Sequence, residues 1–89
     1  MSDSAKIVVY ATRWCPYCVR AQQLLKYKDV DYELIDVGNE PTRRHEMIQL
    51  SGGSQTVPQI FINNEHIGGC DDLYALEHQN KLDSLLWPK

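Results

Sequence analysis

The chain has 89 residues, 43% of them hydrophobic and 24% charged, with a formal net charge of −3. That length builds one core and is too short for two, and no stretch approaches the roughly 18–20 apolar residues that span a bilayer. The negative sum and the lack of any Lys/Arg run argue against a nucleic-acid partner.

The opening, MSDSAKIVVY, sets Asp3 ahead of a short apolar run with no small-residue cleavage site behind it. No signal peptide is expected, and a cytoplasmic location is. Thiols are kept reduced there, and three cysteines make a poor disulfide framework. The charge is also uneven. Residues 1–28 hold Lys6, Arg13, Arg20, Lys26 and Lys28 against Asp3 alone, a balance of +4, which leaves −7 on the other 61. A basic segment of that kind favours thiolates and attracts anions at short range.

In chain order, KIVVY (Lys6–Tyr10) is a β-branched and aromatic run that predicts a buried strand. A helix is predicted from Pro16 to about Lys28. Pro16 suits its first position, and Ala21, Leu24, Leu25 and the stem of Lys28 form its apolar stripe. DYELIDV (Asp31–Val37) alternates Tyr32, Leu34 and Asp36 against Glu33, Ile35 and Val37, a second strand. Strand–helix–strand within one sheet implies a parallel pair with a right-handed crossover.

EPTRRHEMIQL opens a second helix near Pro41, with Gly52 and Gly53 beyond its end. TVPQIFINNEHIGG predicts a hairpin turning at Asn63-Asn64. The tail, CDDLYALEHQNKLDSLL, predicts helix, with Asp71 and Asp72 in its first turn, Leu73, Leu76 and Leu82 toward the core, and Pro88 as its stop. The expectation is a single α/β domain over residues 1–89: a four-stranded mixed sheet, a parallel pair plus an antiparallel hairpin, flanked by helices.

Three stretches carry chemistry. In RWCPYCVR, Cys15 sits where a loop meets a helix that Pro16 starts, and unpaired helix N–H groups there stabilise a thiolate. Cys18, one turn on, is close enough to close a short disulfide. Cys18 is also expected to be less exposed, and that asymmetry assigns attack to Cys15 and resolution of the mixed disulfide to Cys18. A zinc site needs two more ligands, with His66 and Cys70 the spaced candidates, and a structural disulfide here closes a very short loop. In TVP, Pro58 is either an ordinary strand-opening proline or a cis proline that presents the Val57 backbone to an extended substrate. In GGCDD (Gly68–Asp72), glycines before a helix N-terminus suit a carboxylate and two aspartates suit an ammonium, though Asp there is also a common cap.

CPYC, TVPQIFI and GGCDDLYAL, in that order and spacing, resemble the dithiol glutaredoxins of bacteria, over Ile7 to about Leu86. The resemblance implies the thioredoxin fold with Pro58 cis, and glutathione as reductant and co-substrate with no tightly bound cofactor and no metal. It makes Cys15 the nucleophile and Cys18 its partner, sets Tyr17 beside the glutathione sulfur, and pairs Thr56 and Val57 with the cysteinyl backbone. Gly69, Cys70, Asp71 and Asp72 then hold the γ-glutamyl head. Implied partners are glutathionylated or disulfide-containing proteins, and glutathione reductase through the glutathione pool, for a monomer without membrane contact.

The chain departs from that family at Thr12, where a Lys or Arg usually meets the glycine carboxylate of glutathione. It departs again at Trp14, in place of a small residue, and in SGGSQTVP, which lacks basic residues. Carboxylate recognition then falls to Arg13 or Arg44. Cys70 is read as a small packing residue with a useful backbone, a reactive third thiol being the alternative. Two rival readings are a thioredoxin-like reductase recharged by a flavoprotein, which Trp14 supports, and a metal carrier holding zinc or an iron–sulfur cluster shared between two chains.

Overall fold

The computed structural model describes residues 4–87. The elements are β1 (Ile7–Ala11), α1 (Pro16–Tyr27), β2 (Glu33–Asp36), α2 (Pro41–Leu50), β3 (Gln59–Ile62), β4 (Glu65–Gly68), α3 (Cys70–His78) and α4 (Leu82–Leu86). The sheet order is β2-β1-β3-β4. β1 and β2 pair in parallel, while β1–β3 and β3–β4 are antiparallel. The predicted mixed sheet is present, and β1 begins and ends one residue later than its apolar run.

Alternation along β1 divides the core in two. Val9, with Ile7, Ala11, Ile60 and Ile62, packs against Leu24 and Leu25 of α1, Leu73 of α3 and Leu82 and Leu86 of α4. On the other face Tyr10 joins Ile35, Val37, Phe61 and Met47 of α2. Each residue of β1 therefore buries on one side or the other, which is why its sequence is a continuous apolar run. β2 lies at the edge of the sheet. Ile35 is buried within it and Val37 just past its end, whereas Leu34 is 50% exposed in a hollow it shares with Gln22.

The predicted helical tail is two helices, α3 and α4. Asn80 takes φ +59°, and the Lys81 amide bonds back to the Leu76 carbonyl at 2.9 Å, a left-handed cap that stops α3 after His78. The turn lets α4 lay Leu82 and Leu86 back on the core. Pro88, expected to end the tail, lies outside the described residues. Lys28, predicted as the snorkelling end of the α1 stripe, reaches Glu77 at 2.7 Å and Asp83 at 2.8 Å, tying α1 to α3 and α4. Hydrogen bonds from its ammonium to Asp83 and then Glu77 raise its pKa. Among the described residues no helix is long and apolar enough to cross a membrane.

Candidate active site

Cys15 is the N-cap of α1, with Pro16 directly behind it, and the Val19 amide bonds to its carbonyl at 3.2 Å. Pro16 has no N–H to lose at this position, so the helix starts without penalty. The nucleophile candidate is thereby held at the lip of the fold: Cys15 is half-buried, Cys18 wholly buried, and both are free thiols.

Burial pushes the Cys18 thiol up to about 11. The Thr12 backbone amide pulls it back, while the hydrogen bond and charge of Cys15 raise it further and the Thr12 hydroxyl lowers it. Thr12, the residue standing where a base is usual, thus acts on the buried cysteine. Because the folded protein holds the Cys18 proton more tightly than the unfolded chain, the resulting stability is complete below the ordinary thiol value of 9.0 and is lost as pH rises through about 11. In a Cys15→Ser, Cys70→Ser protein, ultraviolet thiolate absorbance should still place Cys18 above 9.0, since burial is the largest cause. An ordinary value there would remove burial as the reason.

The Val57–Pro58 peptide is cis. The Val57 carbonyl faces the Cys15 thiol, which donates to it at 3.8 Å. From this point a groove of about 340 Å³ opens. Ser54 and the Thr56–Pro58 segment line one side, Gly68–Asp72 the other, with Tyr17 at the α1 end. Eight of the ten predicted ligand-binding residues therefore meet around one hollow or its α1 end: Tyr17, Thr56, Val57, Pro58, Gly69, Cys70, Asp71 and Asp72.

The α3 side is built by one glycine and one aspartate. Gly68 has φ +122°, and a Cβ there would stand 2.2 Å from Asp72 Oδ2. The bare backbone lets the Asp72 carboxylate fold over it and accept the Gly69 amide at 3.0 Å. Cys70 follows, buried, its thiol pushed up first by desolvation, with Arg20 opposing and Asp71 and Cys15 adding.

The two predicted arginines lie elsewhere. Arg13 lines a separate hollow with Thr12, Trp14, Asp36, Gly38 and Asn39, which shares no residue with the groove. Trp14 belongs to that hollow too and is 87% exposed. Arg44, on α2, donates through Nη2 to the Gln55 carbonyl at 2.7 Å, directly behind the Ser54–Thr56 rim.

With this geometry, the comparisons are direct. The glutaredoxin family model matches residues 7–67. The chain belongs to the glutaredoxin family. It is 54% identical to a glutaredoxin of Pseudomonas aeruginosa over 80 residues, covering 90% of this chain and 94% of that one. It is 49% identical to glutaredoxin 3 of Escherichia coli over 82 residues, or 92% and 98% of the two chains. The solution structure of a Brucella melitensis glutaredoxin superposes with TM-score 0.83 at 48% identity, over 97% of this chain and 92% of that one. A buckwheat glutaredoxin–glutathione complex superposes with TM-score 0.84 at 30% identity, over 92% and 76%. The mixed sheet with its flanking helices is accordingly the thioredoxin fold, the chain is a thiol–disulfide oxidoreductase, and the Cys15/Cys18 pair fits its redox-active site.

Three residues of this glutaredoxin groove carry no ligand-binding role in the sequence reading: Ser54, Gln59 and His66, while Gly68 lines it as part of the GGCDD stretch expected to cradle a carboxylate. The sequence offers His66 only as a spaced zinc-ligand candidate with Cys70. The signal for it is the two-residue turn. Asn63 and Asn64 take φ +51° and +67°, which sets Ile62 opposite Glu65 and Phe61 opposite His66. Gln59, two residues before Phe61, then shares a face with His66 on the diagonal. Among the described residues no group of three or more His, Cys, Asp or Glu side chains is placed to hold a metal ion.

Proposed function

We propose that this glutaredoxin reduces protein–glutathione mixed disulfides and protein disulfides with glutathione, binding the tripeptide in the groove beside Cys15. The observation that carries the reading is that groove: it starts at the Val57 carbonyl facing the Cys15 thiol and ends at the N-terminus of α3. The Val57 backbone, with Thr56 beside it, suits the cysteinyl residue of an extended ligand. The α3 N-terminus suits the α-carboxylate, and Asp71 suits the α-ammonium, with Cys70 and Asp72 framing the head.

Of the two arginines, Arg44 is the better carboxylate partner. Its hydrogen bond to Gln55 holds it behind the rim, whereas Arg13 lines the other hollow.

In deglutathionylation the Cys15 thiolate attacks the glutathione sulfur, and the protein leaves as a thiolate. A second glutathione thiolate attacks that sulfur, freeing Cys15 and forming glutathione disulfide. In dithiol reduction Cys15 attacks a protein disulfide, and Cys18 then attacks the Cys15 sulfur and expels the substrate thiol. Two glutathiones return the Cys15–Cys18 disulfide to thiols. Cys18 stays protonated during the first attack because burial and Cys15 itself hold its thiol up. Once Cys15 is in a mixed disulfide its charge is gone, one cause of the raise disappears, and Cys18 becomes the easier thiol to ionise.

The test is mass spectrometry of Cys18→Ser protein after exposure to glutathione disulfide. One adduct, on Cys15, is the expected result. An adduct on Cys70 overturns the assignment of roles.

A further inference from the structure

The residues beneath the Thr56–Val57 rim form a directed chain. Gln59, buried on β3, places one end of its amide 3.0 Å from the Thr56 carbonyl and 3.3 Å from the Thr56 hydroxyl. A carbonyl only accepts, so the end that meets it is the NH2 group. The other end is then the amide oxygen, and it lies 2.6 Å from His66 Nε2. An amide oxygen also only accepts, so Nε2 carries the proton. The tautomer of His66 is fixed by Thr56, two hydrogen bonds away.

We propose that His66 is a positioning residue for the glutathione groove: it donates to Gln59, whose amide pins the Thr56 carbonyl and hence the rim that receives the ligand backbone. Three features give this chain its purpose. His66 and Gln59 both line the groove, the rim ends at the carbonyl opposite Cys15, and exposed Thr56 has little side-chain packing to hold it otherwise. Phe61 supports the arrangement from below, its ring centroid 5.1 Å from the imidazole, and Tyr10 backs Phe61 edge-on at 5.6 Å. The pinned position therefore passes from β4 through β3 to the loop before the cis proline. His66 acts through Gln59 and Thr56, and no contact with a reacting sulfur is required of it.

The inference rests on the groove being where glutathione binds, and the test separates the two. With a glutathionylated peptide, His66→Ala and Gln59→Leu should each lower kcat/KM about three- to tenfold, the scale of one net hydrogen bond, with kcat close to that of the unsubstituted protein. The double variant should lose no more than the worse single one, because both break the same chain. In the unsubstituted protein, heteronuclear NMR of the imidazole should show the Nε2–H tautomer. An Nδ1–H tautomer, losses that multiply, or an unchanged kcat/KM in His66→Ala overturns the positioning role. Failure of the Cys15 adduct in Cys18→Ser protein instead overturns the underlying functional reading.

Discussion

Cys15→Ser should abolish glutathione-dependent turnover, a fall of about 10³-fold or more, without harming the fold. The serine hydroxyl is not ionised near neutral pH and forms no disulfide, so neither branch of the reaction can begin. No other thiol substitutes for it. Cys18 is 0% exposed with its thiol pushed up to about 11. Cys70 is 5% exposed and also raised by burial. The fold should survive because Cys15 is an N-cap that makes no side-chain capping bond, and serine is a preferred residue there. Turnover measured as coupled NADPH oxidation, alongside urea denaturation, checks both halves. Activity that persists in Cys15→Ser but vanishes in Cys70→Ser would move the nucleophile to α3.

Cys18→Ser separates the two branches. It should keep deglutathionylation, whose two exchanges both occur at Cys15, and lose the intramolecular resolution of protein disulfides. The difference in burial between two cysteines one helical turn apart thus becomes a difference in chemistry.

The parts of this site that follow local rules were legible in the sequence. Pro16 behind Cys15 predicted the helix start, and the structure puts Cys15 at the cap. The TVP and GGCDD stretches were matched as motifs, and they do meet across one groove. What escaped depended on pairing and on where long side chains turn. His66 gains its partner only through the β3–β4 register, which slips between Ile60 and Phe61 so that Gly68, not Ile67, stands opposite Ile60. That bulge carries the chain into the Gly68 conformation before α3. Arg13 and Arg44 were equivalent as letters. In the fold, Arg13 lines a hollow with Asp36 and Gly38, whereas Arg44 on α2 bonds to Gln55. The tail's leucines keep helical spacing throughout, which fits one helix or two, and a left-handed Asn80 makes it two.

The neighbouring glycines before α3 should respond very unequally to the same added methyl group. Gly68→Ala meets two obstacles: φ of +122°, which an L side chain rarely adopts, and a Cβ 2.7 Å from Asp72 Cγ as well as 2.2 Å from Oδ2. Either the backbone leaves its angle or Asp72 swings off the Gly69 amide. Backbone strain and a lost cap together cost about 2–4 kcal/mol. Asp72 displaced from the cap would also disturb the wall of the groove, so kcat/KM with a glutathionylated peptide should fall about tenfold, the scale of a lost charged hydrogen bond. Gly69→Ala meets neither obstacle. Its φ is −95°, and the nearest atom to a Cβ is the Pro58 carbonyl oxygen at 3.4 Å, ordinary contact. Its stability should stay within about 1 kcal/mol of the unsubstituted protein. Urea denaturation of the two variants decides the matter. Equal costs would mean that Asp72 does not depend on a bare backbone at Gly68, and that the α3 wall of the groove is held by something other than this cap.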